Sequence, residues 1–422
     1  MTSRKNFPST RETSTPRREF LSTAVGGTIA AAGLIRLGSA AAQKKYDTGV
    51  SDTEIRIGQT MPYSGPASLF GIAGRIQTAY LKMINAAGGV NGRRINLISV
   101  DDGFSPPKAV EMTRKLVEQD EVFALMGSVG TPGNVAISKY VNASKIPHLV
   151  VASGSAKLLD PAGLPWTAPF YPSQNVEGRI YAKYLLQNFP NAKVGLLYQN
   201  DDYGKGVVDG FKRGLGNRTA MIAKELSYEL SDPSIDPQIL ELQGAGVDFF
   251  FQATTPKFAA QAIRKAQSLN WKPVHILISN ASSVAGTLKQ AGLEASKGLI
   301  TSLTYKYPGD PMWNNDKGML DYYAFMKQWM PGDDPNDSVA ANGYTMVMMS
   351  VELLRRCGDE LTRENVLKQA LNIKEFELPL LMPGVRINTT PDDRTPFKQS
   401  WLGRFDGANW VPFGSAIDIR QA

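Results

Sequence analysis

From Glu54 onward the sequence alternates short apolar runs with longer amphipathic ones, and this rhythm restricts the possible folds more than any other feature. Residues 54–60 read as a strand. Residues 71–87 read as a helix with Ile72, Ile76, Ala79, Tyr80 and Met83 on one face, stopped by Gly88-Gly89. Strands at 94–101, 122–126 and 148–152 are separated by helices at 107–119 and 134–144. Strands separated by helices of this length build βαβ units and a parallel sheet.

The rhythm then restarts. Helices at 176–188, 204–215, 235–243 and 258–269 alternate with strands at 193–198, 220–228, 248–252 and 274–278. Between the two runs, residues 164–174 carry Pro165, Pro169 and Pro172, the best domain boundary in the chain. A second crossing is expected near 300–307, where a strand-like run ends in Tyr307-Pro308-Gly309-Asp310. Helices follow at 321–329 and 338–357, then β-like fragments over 382–413 with a turn at Asp406-Gly407. The fold class is therefore α/β, as two similar Rossmann-like lobes with parallel sheets.

The first 42 residues read differently. Arg17 and Arg18 precede Phe20 and Leu21, an Ala/Gly-rich apolar stretch runs over 21–37, and Ser39, Ala40, Ala41 and Ala42 follow. This is the order of an export signal, with cleavage expected at the Ala40-x-Ala42 pattern and a mature chain from Gln43. A membrane span needs roughly 20 strongly apolar residues, whereas this stretch is shorter, Gly-rich and interrupted by Arg36. The paired arginines with Phe20-Leu21 resemble the twin-arginine (Tat) signal, although Pro16 and Ser22 depart from its usual pattern. That resemblance implies export of an already folded chain.

Charge and scarce residue types exclude several functions. The chain holds 46 basic and 39 acidic residues; 1–42 contain six and two of them, leaving 40 and 37 and a net charge of +3. No basic run stands out, so no nucleic-acid footprint is expected. The single cysteine, Cys357, cannot form an internal disulfide and reads as a small buried hydrophobe. No cysteine lies near the cleavage site, so no lipid anchor is expected there. Only His148 and His275 are present, without metal-ligand spacing, and no G-x-S-x-G, P-loop or G-x-G-x-x-G stretch occurs. No catalytic residue, metal or cofactor is expected.

Five segments, in order, resemble the type I periplasmic binding proteins of ABC transporters, the leucine/isoleucine/valine-binding family. They are 57–66, ending in Ser64-Gly65-Pro66; 84–93, Ile-Asn-Ala-Ala-Gly-Gly-Val-Asn-Gly-Arg; Asp101-Asp102 with Pro107 and Ala109; Asn200-Asp201-Asp202-Tyr203-Gly204; and Gly246-Val247-Asp248-Phe249. The likeness runs from about 53 to 413. It implies two lobes, 53–172 plus 304–378 and 173–303 plus 379–422, joined by a three-crossing hinge, with ligand captured between them.

In open parallel sheets, ligands sit outside the carboxyl ends of the strands, where helix N-termini suit a carboxylate. Two Gly/Ser-rich loops qualify, 127–133 and 153–156. The resemblance places Thr131 on the ligand carboxylate, and Ser153, Gly154 and Ser155 in a second loop for carboxylate and amine. It places Phe70 as an aromatic wall, Tyr203 as a second-lobe tyrosine closing on the ligand, and Thr254 and Asn280 at further contact positions.

The amino-acid binders of this family use a second-lobe acidic side chain for the ligand ammonium. Here residues 279–283 are Ser279, Asn280, Ala281, Ser282 and Ser283. A buried ammonium without a carboxylate costs several kcal/mol, so this reading favours an aromatic or branched aliphatic acid lacking the amine over a free amino acid. The expected function is a monomeric periplasmic binding protein delivering a small carboxylate-bearing solute to an ABC permease, not membrane-embedded after cleavage. The alternatives are an exported Tat-dependent enzyme, and a ligand-sensing regulator of the same fold taking an amide or urea-type ligand.

Overall fold

The computed structural model of the chain describes residues 44–418. The expected signal residues Arg17, Arg18, Phe20 and Leu21, and the cleavage residues Ala40 and Ala42, lie outside that range.

The first run of alternation folds as β1 (Glu54–Met61), α1 (Gly71–Ala86), β2 (Arg94–Asp101), α2 (Pro106–Glu118), β3 (Ala124–Met126), α3 (Thr131–Ala143), β4 (His148–Val151) and β5 (Thr167–Pro169). These strands form one parallel sheet in the order β2-β1-β3-β4-β5. Strands β3 and β4 are buried along their whole length. That is why they read as continuous apolar runs rather than alternating ones: helices cover both faces of the sheet.

The second run gives α4 (Gln174–Asn188), β6 (Val194–Gln199), α5 (Asp202–Leu215), β7 (Ile222–Tyr228), α6 (Asp236–Gly244), β8 (Phe249–Ala253), α7 (Pro256–Ser268), β9 (Val274–Leu277) and β10 (Ile300–Leu303). Then come α8 (Lys317–Trp329), α9 (Ser338–Arg356), α10 (Arg363–Ala370), β11 (Gln399–Phe405) and β12 (Trp410–Asp418). The second sheet has the order β12-β11-β10-β9-β8-β6-β7. Its parallel part, β7-β6-β8-β9-β10, repeats the order of the first sheet.

The parallel sheets expected are present, and the β-like tail adds two antiparallel strands to the second. β11 runs antiparallel to β10, and β12 antiparallel to β11. The link between them is a tight turn in which Asp406 Oδ1 accepts from the backbone of Ala408 and Asn409. Strands joined by so short a turn can only pair antiparallel.

The chain passes three times between the sheets: after β5, after β10, and between α10 and β11. The last two passes pair with each other, Lys306 N donating to Leu380 O at 2.8 Å and Met382 N to Thr304 O at 3.0 Å. The buried Arg394 guanidinium ties the third pass to the segment before and within β5 through Leu164 O and Thr167 O, at 2.6 and 2.7 Å. Helices α8 and α9 return to the first sheet, where Tyr80 of α1 meets Tyr344 edge-on at 5.1 Å and Phe325 at 5.7 Å.

Some boundaries differ from the sequence reading. Helix α3 begins at Thr131 rather than at 134, because Pro132 fits a first helical turn, where its missing N–H is no loss. Strand β5 lies inside the proline-rich boundary segment; as an edge strand it tolerates Pro169. Helix α10 was not expected; Thr362 caps it, accepting from Asn365 N at 3.2 Å. Cys357 is buried, and burial pushes its thiol up to about 12. No helix among the described residues is long and apolar enough to cross a membrane.

Candidate functional site

Both sheets share the doubly wound order in which the strand sequence reverses between a first and a third strand, here β1/β3 and β6/β8. Ligands in such sheets bind outside the carboxyl ends of the strands at that reversal. The loops at these ends, together with first turns of the following helices, line a concave, largely apolar cavity. Small-molecule sites are typically clefts of this kind with a few placed polar groups.

Its polar end lies at α3 and α4. Thr131 opens α3 and Gln174 opens α4. Gln174 Nε2 donates to Thr131 Oγ1 at 2.9 Å, and the hydroxyls of Thr131 and Ser153 lie 2.7 Å apart. Ser155 N donates to Ser153 Oγ at 3.3 Å. Two hydroxyls supply two hydrogens, and their mutual bond uses one. The other has no protein acceptor among the described residues and is free for a ligand oxygen. Helices α3, α4 and α7 each begin at the cavity without a side chain capping their first N–H groups. Their positive ends favour an anionic group there. By contrast, α5 and α9 are capped by Asp201 and Asp337.

The walls are apolar and aromatic. Phe70, Phe104 and Met346 contribute from the first-sheet side, Tyr171 from the first crossing, and Tyr203 and Ile278 from the second-sheet side. Phe70 is placed by the short 3-10 turn Ser68–Phe70 that leads into α1. Tyr203 OH donates to Asn280 Oδ1 at 2.8 Å, which fixes the phenol and leaves the Asn280 amide nitrogen as a donor. Burial pushes the Tyr203 phenol well above its ordinary range, so it stays protonated.

Five of the expected contacts therefore line the cavity: Phe70, Thr131, Ser153, Tyr203 and Asn280. Three do not. Gly154 packs under the first crossing; a Cβ there would lie 1.8 Å from Pro172 O. Ser155 turns away to cap the 3-10 turn Ala156–Leu158, accepting from Lys157 N. The hydroxyl of the fully buried Thr254 donates to Gln252 Oε1 at 3.3 Å, and the next residue, Thr255, lines the cavity instead.

The sequence reading missed Glu177, and here the structure corrects it. The expected shortage of an acidic group holds for the loop after β9, but the first turn of α4 brings Glu177 to the cavity lining. Its Oε1 accepts from Tyr181 OH at 2.6 Å, Ser302 Oγ at 2.7 Å and Ser279 N at 2.9 Å. Burial holds its carboxyl above the usual range, against the lowering effect of the Tyr181, Ser302 and Ser279 hydrogen bonds. In sequence, an acid three residues into a helix reads as a complement to the helix dipole, so its type gave no sign of a pocket role. Tyr171 was hidden in the proline-rich segment, and Asn342 and Met346 come from α9, remote in sequence.

Polar contacts also link segments that are close in sequence to lining residues. Lys157 Nζ lies 2.5 Å from Asp202 Oδ1. Ser283 Oγ donates to Asp337 Oδ1 at 2.9 Å, and Lys289 Nζ lies 3.6 Å from Asp334 Oδ2.

Comparison with known proteins agrees with this architecture. The sequence model of the periplasmic binding protein family matches residues 54–409. The leucine-, isoleucine-, valine-, threonine-, and alanine-binding protein of Pseudomonas aeruginosa is 23% identical over 333 residues, which is 77% of this chain and 84% of that protein. A branched chain amino acid ABC transporter structure from Thermus thermophilus, with bound valine, matches with a TM-score of 0.77 at 18% identity, over 88% of this chain and 99% of that one. The fatty acid ABC transporter substrate-binding protein from Thermomonospora curvata matches with a TM-score of 0.72 at 22% identity, over 89% and 95%. At these identities the two structures establish the fold alone.

Proposed function

Since the chain belongs to the periplasmic binding protein family, whose members are periplasmic substrate-binding proteins rather than enzymes, we propose that it is the solute-capturing component of an ABC importer of the branched-chain amino acid type. On this reading it acts as a monomer, reaches the periplasm behind a cleaved Tat-type signal, and hands its ligand to a membrane permease. The ligand is a small carboxylate-bearing solute, either amino acid-like or an aromatic or aliphatic acid. It lies between lobes 53–172 plus 304–378 and 173–303 plus 379–422.

The observation that carries this reading is the polar end of the cavity: uncapped first turns of α3 and α4 beside the one unspent hydroxyl hydrogen of Thr131 and Ser153. Phe70, Tyr203 and Asn280 are further ligand contacts from the expected set, joined by Thr255. Gly154, Ser155 and Thr254 hold those contacts from behind. Ligand binding stabilises the closed arrangement to the extent that contacts from both lobes exist only when closed.

The test is a thermal-shift and calorimetric screen of the mature protein against amino acids, aromatic acids, aliphatic acids and matched amides. A carboxylate is expected to bind one-to-one and raise the unfolding midpoint. Binding confined to uncharged amides would point to the amide-sensing alternative, and chemical turnover of a bound compound would contradict the reading.

A further inference from the structure

Glu177 is the single charged side chain lining the cavity among the described residues; no Lys or Arg lines it. It is 4% exposed, and its three hydrogen bonds all fall on Oε1. None of these three falls on Oε2; the Ser279 side chain also bears on the carboxyl, and no described residue forms a salt bridge with it. One helical turn earlier, Gln174 is 5% exposed and its Oε1 is a buried acceptor without a partner, while its Nε2 is taken by Thr131. Residues three apart on a helix are neighbours on one face. The first turn of α4 therefore brings a buried carboxylate without a cation, and a buried amide oxygen without a donor, to the side of the cavity where Thr131 and Ser153 form the donor end.

Buried acceptors need donors, and a buried carboxylate needs a positive partner. No described residue supplies the positive partner here. A ligand carrying only a carboxylate would place a second negative charge near the first with no cation to offset it. A ligand carrying a protonated nitrogen close to its carboxylate would meet both ends of the site.

We infer that Glu177, with Gln174 beside it, is the specificity-determining group of this pocket and selects ligands that carry a protonated amine. This inference rests on the solute-binding reading above and deepens it. It also reverses the preference for acids lacking the amine that the loop at 279–283 had suggested. The acidic partner is supplied by α4 and not by the loop after β9.

The test uses two matched triplets on the mature protein. One is leucine, 4-methylpentanoate and 3-methylbutylamine; the other is phenylalanine, 3-phenylpropanoate and 2-phenylethylamine. In at least one triplet the amino acid is expected to bind at least about tenfold more tightly than its des-amino acid, the scale of one hydrogen bond to a charged group. Glu177→Gln keeps the Oε1 acceptor for Tyr181, Ser279 and Ser302, and should abolish that preference. The wild-type comparison stands without the variant, should the variant fail to fold. A des-amino acid that binds as tightly as its amino acid overturns the inference and leaves the carboxylate-binding reading intact. An amine that binds as tightly as its amino acid supports the inference and overturns the carboxylate reading. Silence of both triplets overturns the inference, and a carboxylate hit elsewhere in the wider screen would still uphold the reading beneath it.

Discussion

Gln174 Nε2 donates to Thr131 Oγ1 at 2.9 Å, joining the first turn of α4 to the first turn of α3 at the polar end of the cavity. This bond occupies the Thr131 oxygen and leaves one hydroxyl hydrogen of the Thr131–Ser153 pair for a ligand. Thr131→Val keeps the shape and removes the hydroxyl. The expected result is a ligand Kd raised by about 10- to 100-fold, the scale of a hydrogen bond to a charged group. Calorimetry on a bound carboxylate checks it; an unchanged Kd contradicts the assignment of this end of the cavity.

Lys157 Nζ, largely exposed, pairs at 2.5 Å with Asp202 in the first turn of α5, next to the cavity-lining Tyr203. Exposed pairs contribute about 0–1 kcal/mol. Lys157→Ala should therefore weaken ligand binding by no more than about fivefold and should reduce its dependence on salt. Titrations at two ionic strengths measure both effects, and a salt dependence equal to the wild type's would remove this pair from the closing contacts.

Helices α4 and α5 touch backbone to backbone. A Cβ at Gly178 would lie 2.4 Å from Val207 O, and one at Gly210 would lie 2.1 Å from Asn175 O. Gly178→Ala must push the helices apart, at a cost of about 1–3 kcal/mol in urea unfolding. Because Gln174 and Glu177 ride on α4, the same change should weaken ligand binding. Full stability with full affinity would show that α4 is not held as described.

His148 and His275 are buried, and burial lowers both imidazoles to about 3. His148 Nε2 meets Asn134 Oδ1, and His275 Nε2 accepts from Gln252 Nε2, each at 2.8 Å. The folded state keeps both rings neutral while the unfolded chain protonates them near 6.5. Below that pH the unfolded state binds more protons, so stability falls as pH falls, until about 3. At pH 5 this amounts to about 2 kcal/mol per histidine. His148→Gln and His275→Gln should each lose about that much less stability than the wild type between pH 7 and pH 5. Urea melts at the two pH values measure the difference; identical losses would mean that the rings titrate freely.

Much of this fold could be read from the chain because its strands and helices announce themselves locally. The apolar runs of β3 and β4, the amphipathic face of α1 and the restart after 174 need no tertiary information. The loops after β3 and β4 stood out as candidate ligand loops because Gly, Ser and Thr at strand ends have few structural duties, and Thr131 and Ser153 from them line the cavity. Thr254 and Thr255 show the limit of that reading: neighbouring residues leaving a strand point to opposite sides, and the choice between them is tertiary. Glu177 shows it more sharply. Its role depends on Ser279 and Ser302, more than a hundred residues away, occupying one of its oxygens. Hairpin β11–β12 completes the second sheet only after the chain has returned from α10, so its partner strand β10 could not be named from spacing.

The most direct test of the central claim is a thermal-shift screen of the mature protein against the twenty amino acids, aromatic and aliphatic monocarboxylates, and the corresponding amides, repeated on Thr131→Val. The account predicts that at least one carboxylate raises the unfolding midpoint, that its amide does so far less, and that Thr131→Val removes most of the shift. A screen in which no carboxylate stabilises the protein, or in which amides stabilise it equally, contradicts the account.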